Sequence, residues 1–143
     1  MTDSHRTPIF QHFILTRFNL RIWGNSAPAD SWLAHRLDLF ERFCLPSVLG
    51  QSVQQFTWLL LFDQNTPDSF RERVARYTEV ANIELVFLDG FDVRAIIAAV
   101  TERVSAETTH IISTTLDNDD ALGKQFVETI QAHFEQQQFT LIN

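Results

Sequence analysis

Residues 109–120, Thr-His-Ile-Ile-Ser-Thr-Thr-Leu-Asp-Asn-Asp-Asp, join a strand-like run to a cluster of carboxylates. The run 109–114 is rich in β-branched residues and has the length of one strand. The tetrad 117–120 follows it almost at once. Open α/β sheets bind their ligands beyond the carboxyl ends of their strands. This stretch therefore predicts a strand whose exit loop is a candidate ligand site.

Strands and helices alternate along the rest of the chain, which predicts an α/β fold with a mostly parallel sheet and helices on both faces. The nearly continuous apolar run 56–62 is typical of a strand that is covered on both sides. The strands are predicted at 9–16, 56–62, 83–88 and 109–114, with a fifth beginning at 139–143.

The first helix is predicted to start with Asp30 or Ser31 as its cap, and Pro46 is expected to end or kink it. Its apolar positions recur at steps of three and four residues, as one face of a helix requires. That face consists of Leu33, Leu37, Phe40 and Cys44.

The later helices carry start signals of the same kind. Thr66 and Pro67 are predicted as the cap and first position of the second helix, and Asp92 as the cap of the third. The last helix is predicted to open at Ala121, directly after the acidic tetrad.

The bulk composition fits one domain over residues 1–143, with 45% hydrophobic residues to fill a core. A net charge of −7 argues against a nucleic-acid or anionic-membrane partner. No run approaches the roughly 20 apolar residues of a membrane span, and no signal peptide is visible. Cys44 stands alone, which favours a reducing compartment, and we expect a cytoplasmic protein.

The tetrad suggests a metal site. Carboxylates without a nearby basic partner repel one another, and a hard divalent cation relieves that repulsion. The hypothesis is a Mg²⁺ or Mn²⁺ site at Asp117, Asp119 and Asp120 that holds the diphosphate of a nucleotide-sugar. The alternative is that Asp119 or Asp120 merely caps the last helix. An EF-hand loop is excluded because Ala121 and Leu122 stand where a ligand and a glycine are required.

The exits of the first two strands supply further candidates. Arg17 can pair with phosphate oxygens and Phe18 can stack on a base, whereas Asp63 can bond to a nucleobase or ribose. An ordinary surface loop and a turn-forming aspartate are the alternatives. The four glycines build neither a dinucleotide fingerprint nor a P-loop, and the five histidines show no zinc spacing. A phosphoacceptor domain of the receiver type is disfavoured, because Lys124 is the only lysine.

Three segments resemble the bacterial rhamnosyltransferase family, which is similar to the glycosyltransferases of the GT-A fold. They are 11–23 (QHFILTRFNLRIW), 32–65 and 109–122, with the motifs FCLPSVLGQS, WLLLFD and LDNDDAL in that order. The resemblance implies a Rossmann-like GT-A nucleotide-sugar-binding domain that uses Mn²⁺ or Mg²⁺. It also implies a dTDP-rhamnose or UDP-sugar donor and a saccharide acceptor for a cell-surface polysaccharide.

The resemblance assigns residues as well. Asp119 is the implied principal metal ligand, with Asp117 contacting ribose or metal through water and Asp120 supporting. The implied nucleotide-sugar-binding residues are Thr16, Arg17, Asn19, Asp63, Asp117 and Asn118, and the implied metal ligands are Asp117, Asp119 and Asp120.

The chain departs from the family pattern in two places. Thr115 stands where an arginine commonly precedes the Leu-Asp-Asn-Asp-Asp run. A catalytic base is expected downstream of residue 143, so the donor domain is expected to be incomplete at its carboxyl end. The alternative function is a non-catalytic interaction module that forms a homo-oligomer through an uncovered sheet edge.

Overall fold

The computed structural model describes residues 7, 9–22, 25–26 and 28–135. Strands and helices alternate along this part of the chain as the sequence predicts. The strands are Phe10–Arg17 (β1), Thr57–Asp63 (β2), Ile83–Leu88 (β3) and His110–Thr115 (β4). The helices are Asp30–Leu39 (α1), Leu45–Leu49 (α2), Asp68–Ala75 (α3), Val93–Thr101 (α4) and Phe126–Ala132 (α5). The strand expected at 139–143 lies outside the described residues.

The strands form a parallel sheet in the order β3-β2-β1-β4. This confirms the predicted α/β class and is consistent with a Rossmann-like fold. The chain builds the sheet outward from β1 to β3 and then crosses back to place β4 on the other side of β1. The order therefore reverses between β1 and β4, and a crevice at the carboxyl ends of these two strands is the expected ligand position.

The core lies on both faces of β2, as its apolar sequence predicts. Trp58, Leu60 and Phe62 pack toward α1, α3 and α5, whereas Leu59 and Leu61 pack toward α4. All five side chains are buried, and each contributes about 1.5–3 kcal/mol through its removal from water. None of the helices in the described ranges has the length and apolar content of a membrane span.

The first helical segment runs through Pro46 instead of ending there. A π-helical turn at Phe40–Cys44 joins α1 to α2, and the Leu45 N–H donates to the Phe40 carbonyl. The wider turn accommodates a proline that has no N–H of its own to donate. The predicted apolar face is confirmed, because Leu33, Leu37, Phe40 and Cys44 are all buried.

The predicted caps have mixed outcomes. Asp92 caps α4, and its Oδ1 accepts the Arg94 N–H at 2.9 Å. The caps predicted for α1 are wrong, because the helix starts at Asp30 and its cap position is Ala29, which makes no side-chain bond. The cap predicted for α3 is also wrong. Thr66 donates its hydroxyl to the Asp63 carbonyl instead, and the helix begins one residue after Pro67.

The last helix begins at Phe126, not at Ala121, for a tertiary reason. The Leu122 N–H donates to Ser47 Oγ at 3.0 Å, which docks the irregular segment 121–125 on α2. Gln51 Oε1 then accepts the Val127 N–H at 3.0 Å and so satisfies one free N–H of the first turn of α5, whose cap position is Gln125. Neither Asp119 nor Asp120 caps this helix, so the capping alternative for the tetrad is wrong.

A buried histidine links the sheet to α5. Gln131 Nε2 donates to His12 Nδ1 at 3.1 Å, so His12 carries its proton on Nε2 and donates to Thr114 Oγ1 at 2.8 Å. Burial lowers the pKa of His12 to about 4. Because the folded state disfavours the charged ring, stability is full above the ordinary pKa of about 6.5 and is lost as the pH falls toward 4.

We expect the free energy of unfolding to fall by about 2–3 kcal/mol between pH 6.5 and 4 through His12 alone. Urea titrations across this range should show a flatter profile for His12→Gln than for the parent. The exposed His35 offers a matched control, since His35→Gln should keep the parental slope. Parallel profiles for the parent and His12→Gln would contradict this assignment.

Candidate functional site

The exits of β1 and β2 are joined by a buried aspartate. Asp63 accepts hydrogen bonds from the Arg21 backbone N–H at 3.2 Å, from Arg21 Nε at 2.9 Å and from the Asn65 N–H at 3.0 Å. Burial raises the pKa of this carboxyl, but the bonds from Asn65 and Arg21 outweigh burial and lower it overall. Asp63 is therefore an ionised anchor for the two loops.

Asn19 belongs to the same internal network. Its Oδ1 accepts the Asp63 N–H at 3.0 Å, and its Nδ2 donates to Thr66 Oγ1 at 3.0 Å. Phe18 is buried as well and stacks on Phe62 with ring centroids 4.4 Å apart. The residues that the sequence suggests for a nucleotide pocket here have partners inside the protein.

Thr16 also faces the interior. It is fully buried, and its hydroxyl accepts the indole N–H of Trp58 at 2.9 Å. Direct contact of Thr16, Asn19 and Asp63 with a nucleotide stays a prediction. In the structure Asn19 and Asp63 hold the loops after β1 and β2, and Thr16 ties β1 to β2.

Among the candidate residues at the end of β1, Arg17 has an exposed side chain. Arg17 is the last residue of β1, and its guanidinium carbon lies 4.9 Å from the ring centroid of Phe91. The neighbouring Arg21 pairs with Asp89 and accepts the Phe91 N–H on its carbonyl at 2.7 Å. Gly90, between Asp89 and Phe91, has a φ of 72°, a conformation in which a residue with a side chain would be strained. The exits of β1, β2 and β3 are thus fastened together.

The acidic tetrad follows β4 directly. The Leu116 N–H donates to the Leu15 carbonyl at 2.9 Å, so the pairing with β1 continues to the first residue of the loop. A turn then brings the Asp120 N–H to the Asp117 carbonyl at 3.2 Å. Oxygen atoms of Asp117, Asp119 and Asp120 lie within 4.8 Å of one another, and the three side chains are exposed. The structure therefore gathers the predicted metal ligands.

Asn118 fastens this loop to its surroundings. It is only 4% exposed, unlike its three acidic neighbours. Its Nδ2 donates to the Arg17 carbonyl at 2.8 Å, and its Oδ1 accepts from Arg36 Nε at 2.8 Å. One amide thus ties the loop after β4 to the end of β1 and to α1. Its role in the structure is to orient the acidic loop.

Arg36 is the site residue that the sequence analysis missed. Its guanidinium also lies 3.2 Å from Asp119 Oδ1, so the carboxylates have a basic neighbour in the folded chain. The premise that no such neighbour exists is wrong. Trp32, one helical turn earlier, is 40% exposed, and its ring centroid lies 5.6 Å from the guanidinium carbon of Arg36. The sequence does contain a signal for this pair. Trp32 and Arg36 are four residues apart on the helix after β1, and residues at that spacing are neighbours on a helix surface.

The negative charges of the tetrad affect a buried cysteine in the core. Burial raises the pKa of the Cys44 thiol to about 12, and the charges of Asp120 and Asp119 add to that rise. Cys44 Sγ lies 3.7 Å from the Asp117 carbonyl, behind the acidic loop. A thiol held in its protonated form is a poor nucleophile, so Cys44 is unsuited to nucleophilic catalysis.

The donor set suits a hard divalent cation. Carboxylate oxygens are preferred by Mg²⁺ and Mn²⁺, and Mg²⁺ commonly binds one or two carboxylates together with substrate phosphates. The exposed position leaves space for such a shared arrangement. Asp117, Asp119 and Asp120 therefore fit the predicted group.

Thr16→Val tests the buried hydrogen bond that joins β1 to β2. The substitution leaves the buried indole N–H of Trp58 without an acceptor, and we expect a loss of about 1–3 kcal/mol in the free energy of unfolding. Urea denaturation measures it. Thr16→Ser keeps the hydroxyl and should lose clearly less. Equal losses in the two variants would show that the hydrogen bond is not the cause.

A comparison with protein-family models finds a match over most of the chain. The family model described as "Putative rhamnosyl transferase" matches residues 25–141, a range that includes α1, β2 and the acidic tetrad. No curated protein matches the chain. Because the family match covers most of its length, the chain belongs to this rhamnosyl transferase family.

Proposed function

We propose that the chain is a metal-dependent glycosyltransferase domain that binds a nucleotide-diphosphate sugar. One observation carries the proposal. In a member of a rhamnosyl transferase family, oxygen atoms of Asp117, Asp119 and Asp120 gather within 4.8 Å at the carboxyl end of β4, beside the end of β1. A divalent cation held there would bind the diphosphate of the donor.

The exposed side chains have different roles in this proposal. Asp119 would be the principal metal ligand, with Asp117 contacting ribose or metal through water and Asp120 supporting. Arg17, exposed at the end of β1, offers its guanidinium to a phosphate. The cation, when bound, acts as a Lewis acid that stabilises the negative charge on the departing diphosphate.

The family suggests a sugar donor and an acceptor, and the specific substrates are part of this proposal. The donor is dTDP-rhamnose or a UDP-sugar, and the acceptor is a saccharide of a cell-surface polysaccharide. Transfer takes place in the cytoplasm, where such nucleotide-sugars are available. The buried Asn19, Asp63 and Asn118 keep the loops in place for binding.

Calorimetric titration of dTDP and of UDP, with and without Mn²⁺, tests the proposal. We expect binding of one nucleotide to require the metal ion, and Asp119→Asn to weaken it by at least tenfold, as loss of a charged ligand costs more than about 1.4 kcal/mol. Glu102→Gln is the matched control, because this exposed carboxylate follows α4, away from the tetrad. Equal affinities in the parent and Asp119→Asn would refute the metal site.

A second candidate function rests on the edge of the sheet. Within the described ranges β4 pairs only with β1, and Ile111 on β4 is 49% exposed. An edge strand with an exposed apolar side chain invites pairing with another chain. We propose self-association through β4 as the alternative to donor binding.

Sedimentation velocity over a range of concentrations distinguishes this alternative. Self-association through β4 should give a concentration-dependent dimer that Ile111→Lys abolishes, since a charge on an edge strand disfavours pairing. Ile97→Lys, at an exposed apolar position on α4, controls for the added charge. A monomer at every concentration would remove this candidate.

A further inference from the structure

A basic side chain contacts the acidic loop in a way that metal binding alone does not explain. Arg36 lies 3.2 Å from Asp119, the carboxylate assigned as principal metal ligand. A guanidinium and a divalent cation are both positive and repel each other at short range. Arg36 in this position therefore opposes the binding of a bare ion to the tetrad.

Arg36 is not held by Asp119 alone. Its Nε donates to Asn118 Oδ1, an amide that is itself buried and bonded to the Arg17 carbonyl. The guanidinium is planar and carries five N–H groups in a rigid fork, so one edge can stay on Asn118 while another group meets a different partner. Its position is thus maintained when the contact with Asp119 changes.

The guanidinium of Arg36 is suited to an anionic ligand. Trp32 lies beside the guanidinium and is partly exposed, so the pair reaches the surface next to the acidic loop. Guanidinium groups bind phosphate oxygens in bidentate fashion. Residue 115, which precedes Leu116 and the tetrad, is an uncharged threonine. Arg36 supplies a positive charge to the same loop from α1.

We propose that Arg36 couples the metal ion to the donor diphosphate. Without a nucleotide it pairs with Asp119 and weakens ion binding; with one it contacts the diphosphate and strengthens the ternary complex. The inference rests on the proposed function. An interaction that opposes the ion alone and favours ion and nucleotide together is positive coupling between the two ligands.

Arg36→Gln tests the coupling through two affinities that should move in opposite directions. Mn²⁺ alone, measured by the electron paramagnetic resonance of the free ion, should bind the variant roughly fivefold more tightly than the parent. The affinity of dTDP or UDP at saturating Mn²⁺, measured by calorimetry, should fall by roughly fivefold or more. A purely structural arginine would lower both affinities together.

Two further variants sharpen this test. Arg42→Gln removes the same charge from an exposed position near α1, where the side chain contacts Phe43, and should change neither affinity. Arg36→Lys keeps the charge but lacks the planar fork, so it should oppose the bare ion while losing affinity for the nucleotide. Circular dichroism checks that each variant is folded.

The outcomes separate this inference from the proposed function. If the parent binds Mn²⁺ and nucleotide together and Arg36→Gln binds both as the parent does, or loses both affinities in parallel, the coupling is wrong and the donor site stands. If neither the parent nor Arg36→Gln binds Mn²⁺ under either condition, both proposals fail.

Discussion

The parallel pairing of β1 with β4 is the constraint on which the candidate site depends. It runs from Phe10 beside His110 to Leu15 beside Thr115, and the Leu116 N–H extends it by one residue. Because both strands end at the same edge, Arg17 and the acidic tetrad emerge side by side. The Asn118 amide then bonds to the Arg17 carbonyl and locks this arrangement. A shift in the register would separate the two exits.

Much of this architecture could be predicted from the sequence, because apolar runs and helix periods are local signals. The range of β3 and the cap at Asp92 were predicted to the residue, and the acidic loop was placed at a strand end. The predicted start of the last helix was wrong because distant residues supply the hydrogen bonds there. Ser47 and Gln51 hold the segment 121–125 out of the helix, and their partners lie more than 70 positions away.

The composition of the site was harder to predict for a related reason. A strand-end motif indicates which residues share an edge but not which side chains turn inward. Asn19 and Asp63 look like binding residues in the sequence, yet their polar atoms bond to each other's loops. Arg36 stands about 80 positions before the tetrad, and only the packing of α1 shows that it neutralises Asp119. Charge balance at a site is a tertiary property.

Buried amides and exposed carboxylates have separate tasks in this molecule. Asn19 and Asn118 satisfy backbone groups at the strand ends, and such buried bonds are costly to break because the freed partners would lack water. The carboxylates on either side of Asn118 are exposed, so they can exchange one positive partner for another at small cost. A rigid frame with exchangeable charges is what a site needs if it must hold a metal ion firmly only while the nucleotide is present.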